Sequence, residues 1–96
     1  MATYGYARVS DEKQDLSGQV DALAESGVDR GNVFTDIASG MVAPAERDGF
    51  SRLLEALIEG DEVLVYSLDR ISRDEVVAKA CQADLAAKGA SLRFIV

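Results

Sequence analysis

The sequence predicts an α/β domain of three layers, a mainly parallel β-sheet with helices on both faces, in the order β-α-β-α-β-α-β. Three observations predict it. Short runs rich in Val, Leu, Phe and Tyr alternate with longer segments whose apolar residues recur at helical spacing. Gly27, Gly60 and Gly89 each follow a helical segment, where a left-handed cap favours glycine. Each stretch between strands is long enough to return the chain for a parallel pairing, and such crossovers are right-handed.

Thr3–Val9 reads as the first strand, with Tyr4, Tyr6 and Arg8 on one face and Gly5, Ala7 and Val9 on the other. From about Asp15 to Ser26, Leu16, Val20, Leu23 and Ala24 make one apolar helical stripe. Asn32–Asp36 is a short second strand centred on Val33 and Phe34. Ile37–Arg47, with Gly40 and Pro44, has no period and reads as a mobile loop. Asp48–Glu59 returns to helical spacing, with Phe50, Leu53, Leu54, Leu57 and Ile58 on one face. Asp48 is expected to accept backbone N–H bonds at its start and Gly60 to end it. Glu62–Tyr66 reads as a buried strand and Ser67–Arg73 as a polar turn. Asp74–Lys88 reads as a third helix, with Val77, Cys81, Asp84 and Leu85 near one face, and Ser91–Val96 as a fourth strand.

At 96 residues and 10.3 kDa the chain is one domain with one core. A content of 48% apolar and 28% charged residues belongs to a globular protein rather than a disordered one. No apolar run approaches the roughly 18 residues of a membrane span, and Met1–Gly5 shows no secretory signal. Cys81, the single cysteine, is expected to be a buried thiol, and its solitude fits a reducing, cytoplasmic setting. The absence of histidine excludes Ser-His-Asp and Cys-His catalysis within the chain and argues against zinc. The net charge of −7 disfavours nucleic acid as a partner unless the basic residues are gathered in one place.

They are gathered. Sites in such sheets form at the carboxyl ends of the strands. Arg8 and Ser10 close the first strand, Asp36 the second, and Ser67-Leu68-Asp69-Arg70-Ile71-Ser72-Arg73 the third. With Arg47 from the loop, four of the seven arginines fall near one sheet edge. Guanidinium keeps its charge and grips phosphate oxygens in pairs. Several around one point stabilise a phosphoryl transition state, and a serine hydroxyl there is a candidate nucleophile. The turn Ser10–Asp15 has no glycine, which excludes dinucleotide and P-loop sites. Each residue also has an ordinary explanation: Ser10 and Asp36 as caps, Asp69-Arg70 as a surface pair worth under about 1 kcal/mol, Tyr6 as sheet packing, Gln14 and Gln19 as surface polar groups. Their convergence is what weighs toward phosphate chemistry.

Three segments carry a resemblance to a known family. They are Tyr4-Gly5-Tyr6-Ala7-Arg8-Val9-Ser10, continued by Gln14, Leu16 and Gln19; Phe34-Thr35-Asp36 with Ala38-Ser39-Gly40 and Arg47-Asp48-Gly49-Phe50; and Leu68-Asp69-Arg70-Ile71-Ser72-Arg73-Asp74. In this order and spacing the chain resembles, over its whole length, the catalytic domain of the serine recombinases, the resolvase and DNA-invertase family. The resemblance implies that Ser10 attacks a DNA phosphodiester to form a 5′-phosphoserine link, with later rejoining to a new strand. It implies that Arg8, Arg70 and Arg73 surround the scissile phosphate, that Arg47 joins them when its loop closes, and that Asp69 positions Arg or Ser groups. Asp36, Tyr6, Gln14 and Gln19 are implied as supporting residues. No metal or other cofactor is implied. The general base stays open between Asp69, the substrate phosphate and an arginine acting through water.

The family's catalytic domain continues into a dimer-forming helix, usually followed by a DNA-binding module. The expectation is therefore that residues 1–96 are a catalytic domain truncated before both. The implied partners are double-stranded DNA and, in the full-length protein, a second copy in a homodimer and a synaptic tetramer, with no membrane. The piece alone is expected to bind DNA weakly and not to recombine it. The alternative is a non-catalytic regulatory or interaction module derived from this fold.

Overall fold

The computed structural model describes residues 2–11, 13–39, 41–42, 46–67, 71 and 74–95. The expected elements form in the expected order: β1 (Thr3–Val9), α1 (Leu16–Glu25), β2 (Val33–Ile37), α2 (Asp48–Ala56), β3 (Glu62–Val65), α3 (Glu75–Ala87) and β4 (Ser91–Phe94), with a 3₁₀ turn at Arg30–Asn32 before β2. The four strands make one parallel sheet in the order β2-β1-β3-β4. β1 is central, and its register sets Arg8 beside Asp36 and Tyr6 between Phe34 and Val65.

Alternation along β1 divides the core. Ala7 packs with Leu64, Leu23 and Val28 under α1. Tyr6 packs on the opposite face with Phe50 and Leu53 of α2, Ala78, Cys81 and Leu85 of α3, and Val63, Val65 and Ile71. Gly5 allows the α1 layer to close: a Cβ there stands 3.2 Å from Leu23 Cδ1 and 3.3 Å from both Val28 and Val33. Cys81 is buried, as its pattern predicts, and burial followed by the nearby Asp84 charge pushes its thiol up to about 12. Among the described residues no helix is long and apolar enough to cross a membrane.

The ends of the elements differ from expectation for identifiable reasons. Asp48 does not cap α2. It lies exposed in the first turn, Arg47 is the N-cap residue without a capping side chain, and the helix's first donors go to Asp36 of β2. α2 stops at Ala56, not Glu59, and Ile58 is 65% exposed rather than on the apolar face. The cause is Asp61, whose carboxylate captures the Ile58 N–H at 3.0 Å and turns the chain into β3. Gly60, with φ +92°, serves that turn and not the helix end. Asp74 is the N-cap of α3, accepting from Val76 and Val77 N–H. The buried face of α3 is Ala78, Cys81 and Leu85, while Asp84 is exposed. β2 runs on through Ile37, β4 ends at Phe94, and Val96 lies outside the described residues.

Candidate active site at the carboxyl ends of the strands

The parallel pairing of β1 with β2 carries the Arg8 side chain to the segment after β2, where Ala38 N–H donates to Val9 O at 2.9 Å. Arg8 is fully buried, and its Nη1 donates to Ala38 O at 2.8 Å and to Ser10 Oγ at 3.2 Å. β3 pairs with β1 only as far as Tyr6, short of Arg8. Buried Gln19 of α1 takes the missing strand's place: its Nε2 donates to Arg8 O at 2.9 Å, and its Oε1 accepts the Arg8 N–H at 3.3 Å. Gln14 Oε1 accepts the Ser10 N–H. Asp15 starts α1 by accepting from the Ser17 hydroxyl and the Gly18 N–H, which together hold its carboxyl below its ordinary value. The turn that presents Ser10 is thus tied on both sides.

A second group forms where α2 meets β2. The Asp36 carboxylate accepts Gly49 N–H at 2.8 Å, Phe50 N–H at 3.0 Å and the Tyr6 hydroxyl at 2.8 Å. It satisfies donors at a helix N-terminus, where negative charge is favoured. The contact requires Gly49, since a Cβ there stands 2.2 Å from Thr35 O. Tyr6 is fully buried, its ring edge-on to Phe50 with centroids 5.1 Å apart. Burial first, and then the bond to Asp36, raise its phenol above its ordinary pKa against the lowering effect of Arg47, so it stays protonated. Arg47 Nη1 donates to the Tyr6 oxygen at 3.3 Å. Its Nε and Nη2 donate to Val42 O at 3.1 and 2.8 Å, and the residue is 2% exposed.

The structure therefore joins the expected residues into two groups, Arg8 with Ser10, Gln14 and Gln19, and Tyr6 with Asp36 and Arg47. Asp69, Arg70 and Arg73 lie outside the described residues. Beside the Ser10 turn, a cleft of about 370 Å³ opens between the ends of β1 and β3, lined by Val9, Gln14, Asp15, Gly18, Gln19 and Tyr66. Among the described residues no three His, Cys, Asp or Glu side chains gather as a metal site. Chemically, a buried guanidinium donating to Ser10 Oγ stabilises negative charge as the hydroxyl loses its proton. The Ala38 and Val42 carbonyls, which help to orient the two arginines, are not legible in the sequence, because main-chain acceptors carry no sequence signature. Gly49 stands in the Arg47-Asp48-Gly49-Phe50 segment of the sequence, but its close approach to Thr35 depends on how α2 docks.

Comparison with known proteins gives one answer. A family model described as the resolvase N-terminal domain matches residues 3–96. The Tn3 transposon resolvase of Escherichia coli is 40% identical over 95 residues, covering 99% of this chain and 50% of that protein. The chain thus spans about half the length of the curated relatives it matches. The catalytic domain of ISC1926 TnpA, an IS607-like serine recombinase, superposes with a TM-score of 0.82 at 28% identity, covering 100% of this chain and 68% of that one. A serine recombinase from Sulfolobus solfataricus gives 0.80 at 31% identity, with 99% and 68% covered.

Proposed function

This chain belongs to the family of resolvase N-terminal domains, and on that premise we propose that it is the catalytic domain of a serine site-specific recombinase acting on double-stranded DNA. The Ser10 Oγ–P bond forms as the bond from phosphorus to the 3′ oxygen breaks. The proton lost by Ser10 ends on the leaving 3′-hydroxyl, and the 5′ end stays on the enzyme as phosphoserine. Because one phosphoester replaces another, rejoining to a new strand needs no ATP. Arg47, Arg70 and Arg73 neutralise the phosphate, and Asp69 positions them. The Tn3 relative is a resolvase, and the functional protein acts as a homodimer that meets a second dimer.

The observation that carries the reading is the bond from buried Arg8 Nη1 to Ser10 Oγ. It leaves the serine oxygen beside a permanent positive charge, with Gln14 and Gln19 fixing the backbone on either side. Arg8 acts on the nucleophile and, with the other arginines, on the phosphate. The test is a covalent-adduct assay on nicked duplexes of randomised sequence, with the modified peptide identified by mass. Joined to a DNA-binding module, the chain is expected to carry DNA on Ser10, and its Ser10→Ala variant to carry none while folding unchanged. An adduct that survives Ser10→Ala removes the assignment.

A further inference from the structure

The cleft of about 370 Å³ beside the Ser10 turn takes no part in the bond-making described above. Buried Val9 and Gln19 form its floor, and exposed Gln14, Asp15 and Gly18 with half-buried Tyr66 form its rim. The rim offers hydrogen-bonding groups of fixed polarity. Gln14 Oε1 accepts the Ser10 N–H, so the amide's NH2 is the part turned elsewhere. Among the described residues neither that NH2 nor the Tyr66 hydroxyl has a hydrogen-bond partner. Asp15 uses Oδ1 for the Ser17 hydroxyl and the Gly18 N–H, which leaves Oδ2 over. Those two bonds hold the carboxyl below its ordinary value, so Oδ2 is a charged acceptor at neutral pH. Gly18 keeps the rim open. It sits inside α1, where alanine is the better helix former, yet a Cβ there stands 2.7 Å from Asp15 Oδ2.

A carboxylate on the rim repels a phosphate group, so the part of a nucleotide that suits this cleft is the neutral one. Aromatic rings such as tyrosine stack on unpaired bases. An amide NH2 donates to a base acceptor, and a carboxylate oxygen accepts from an exocyclic amino group. Adenine and cytosine each set an amino donor next to a ring-nitrogen acceptor, whereas guanine and thymine carry a carbonyl in place of that amino group. We propose that the cleft is a subsite for an unstacked adenine or cytosine of the strand that Ser10 attacks, with Tyr66 stacked on the base, Gln14 donating to its ring nitrogen and Asp15 accepting from its amino group. The inference rests on the recombinase reading above and adds a base preference to it. The reach is short, because Gln14 bonds the Ser10 N–H directly and the cleft and the nucleophile share one turn.

The first test uses the 96-residue chain and 2′-deoxyadenosine. The comparison is 2′-deoxyinosine, which carries an oxygen in place of the amino group. The Gln14 side-chain NH2 and the Gly18 N–H report on the cleft as NMR cross-peaks. Deoxyadenosine is expected to shift both along a saturating curve, and to bind about fivefold or more tighter than deoxyinosine. Tyr66→Leu, which keeps an apolar side chain and removes the ring, is expected to weaken deoxyadenosine by about fivefold or more. Asp15→Asn still caps α1 but sets an NH2 where Oδ2 stood, and is expected to turn the preference toward deoxyinosine. The second test sequences the DNA carried on Ser10 in the adduct assay above. Adenine or cytosine is expected to be enriched at one position beside the linked end, and the enrichment to pass to guanine or thymine in Asp15→Asn. Equal affinity for the two nucleosides, or no shift, while the Ser10 adduct forms, overturns the subsite and leaves the recombinase reading standing. Selective nucleoside binding with no adduct keeps the cleft's preference but defeats the recombinase reading, and the strand assignment with it. Selective binding with adducts that show no enrichment makes the cleft a site for a free nucleoside and overturns the strand assignment alone. Peaks that move with protein concentration and not with nucleoside place a second copy of the chain in the cleft and overturn the proposal.

Discussion

Asp61 is the buried carboxylate of the sheet's amino end, 1% exposed and accepting from Ala2 N–H at 2.8 Å and Ile58 N–H at 3.0 Å. The Ile58 bond, then the Ala2 bond, hold its carboxyl below the ordinary value. A carboxyl depressed in the folded state binds its proton more readily when unfolded. It therefore adds stability above its unfolded pKa of about 4 and loses it as pH falls through the folded value. Asp61→Asn is expected to lower the thermal midpoint at neutral pH, and the two proteins to converge below about pH 4. Parallel melting curves from pH 7 to pH 3 refute that role. At this scale the sequence spoke unevenly. Arg8 and Ser10 stand out because they follow a strand together, and the family resemblance singles out Tyr6 and Asp36. Asp61, an acid ahead of a strand, reads as one more surface charge, since only the fold brings Ala2 and Ile58 to it.

The decisive contact between elements is the seating of α2 on β2. Gly49 lets the helix start touch Thr35 O, Asp36 receives two helix donors, and Arg47 leaves the same turn toward Tyr6. Gly49→Ala forces these backbones apart, with an expected cost of about 2 kcal/mol or more. Urea unfolding measures it, and a loss below about 0.5 kcal/mol, the size of an ordinary surface substitution, contradicts this account. Periodicity made the existence and order of the strands and α-helices legible, though not the 3₁₀ turn at Arg30–Asn32, because 3.6- and 2-residue repeats report directly on buried faces. It could not place the ends of α2. Both are set by carboxylates from outside the helix, Asp36 at its start and Asp61 after its end.

For the whole molecule, charge and sheet polarity matter most. The chain carries −7, and the two described arginines of the site turn their donors inward. The acidic excess opposes the approach of DNA, whose binding draws on counterion release at cationic groups. The expected dissociation constant at physiological salt is weaker than about 10⁻⁴ M, the loose end of non-specific binding, tightening as salt is lowered. Fluorescence anisotropy over a salt series checks this, and micromolar binding at physiological salt rejects it. The parallel sheet also gives the molecule two dissimilar poles. At one, Asp61 holds Ala2, Gly60 N–H donates to Gly89 O, and Ser91 N–H donates to Asp61 O. At the other stand Ser10, Arg8 and Arg47. Eight residues of extended chain, about 26 Å, separate Ala2 from Ser10. A biotin or fluorophore attached ahead of Ala2 therefore leaves a glass surface facing the fastened pole and the nucleophile facing solution, so a single anchored molecule can be watched meeting DNA without its tether in the way.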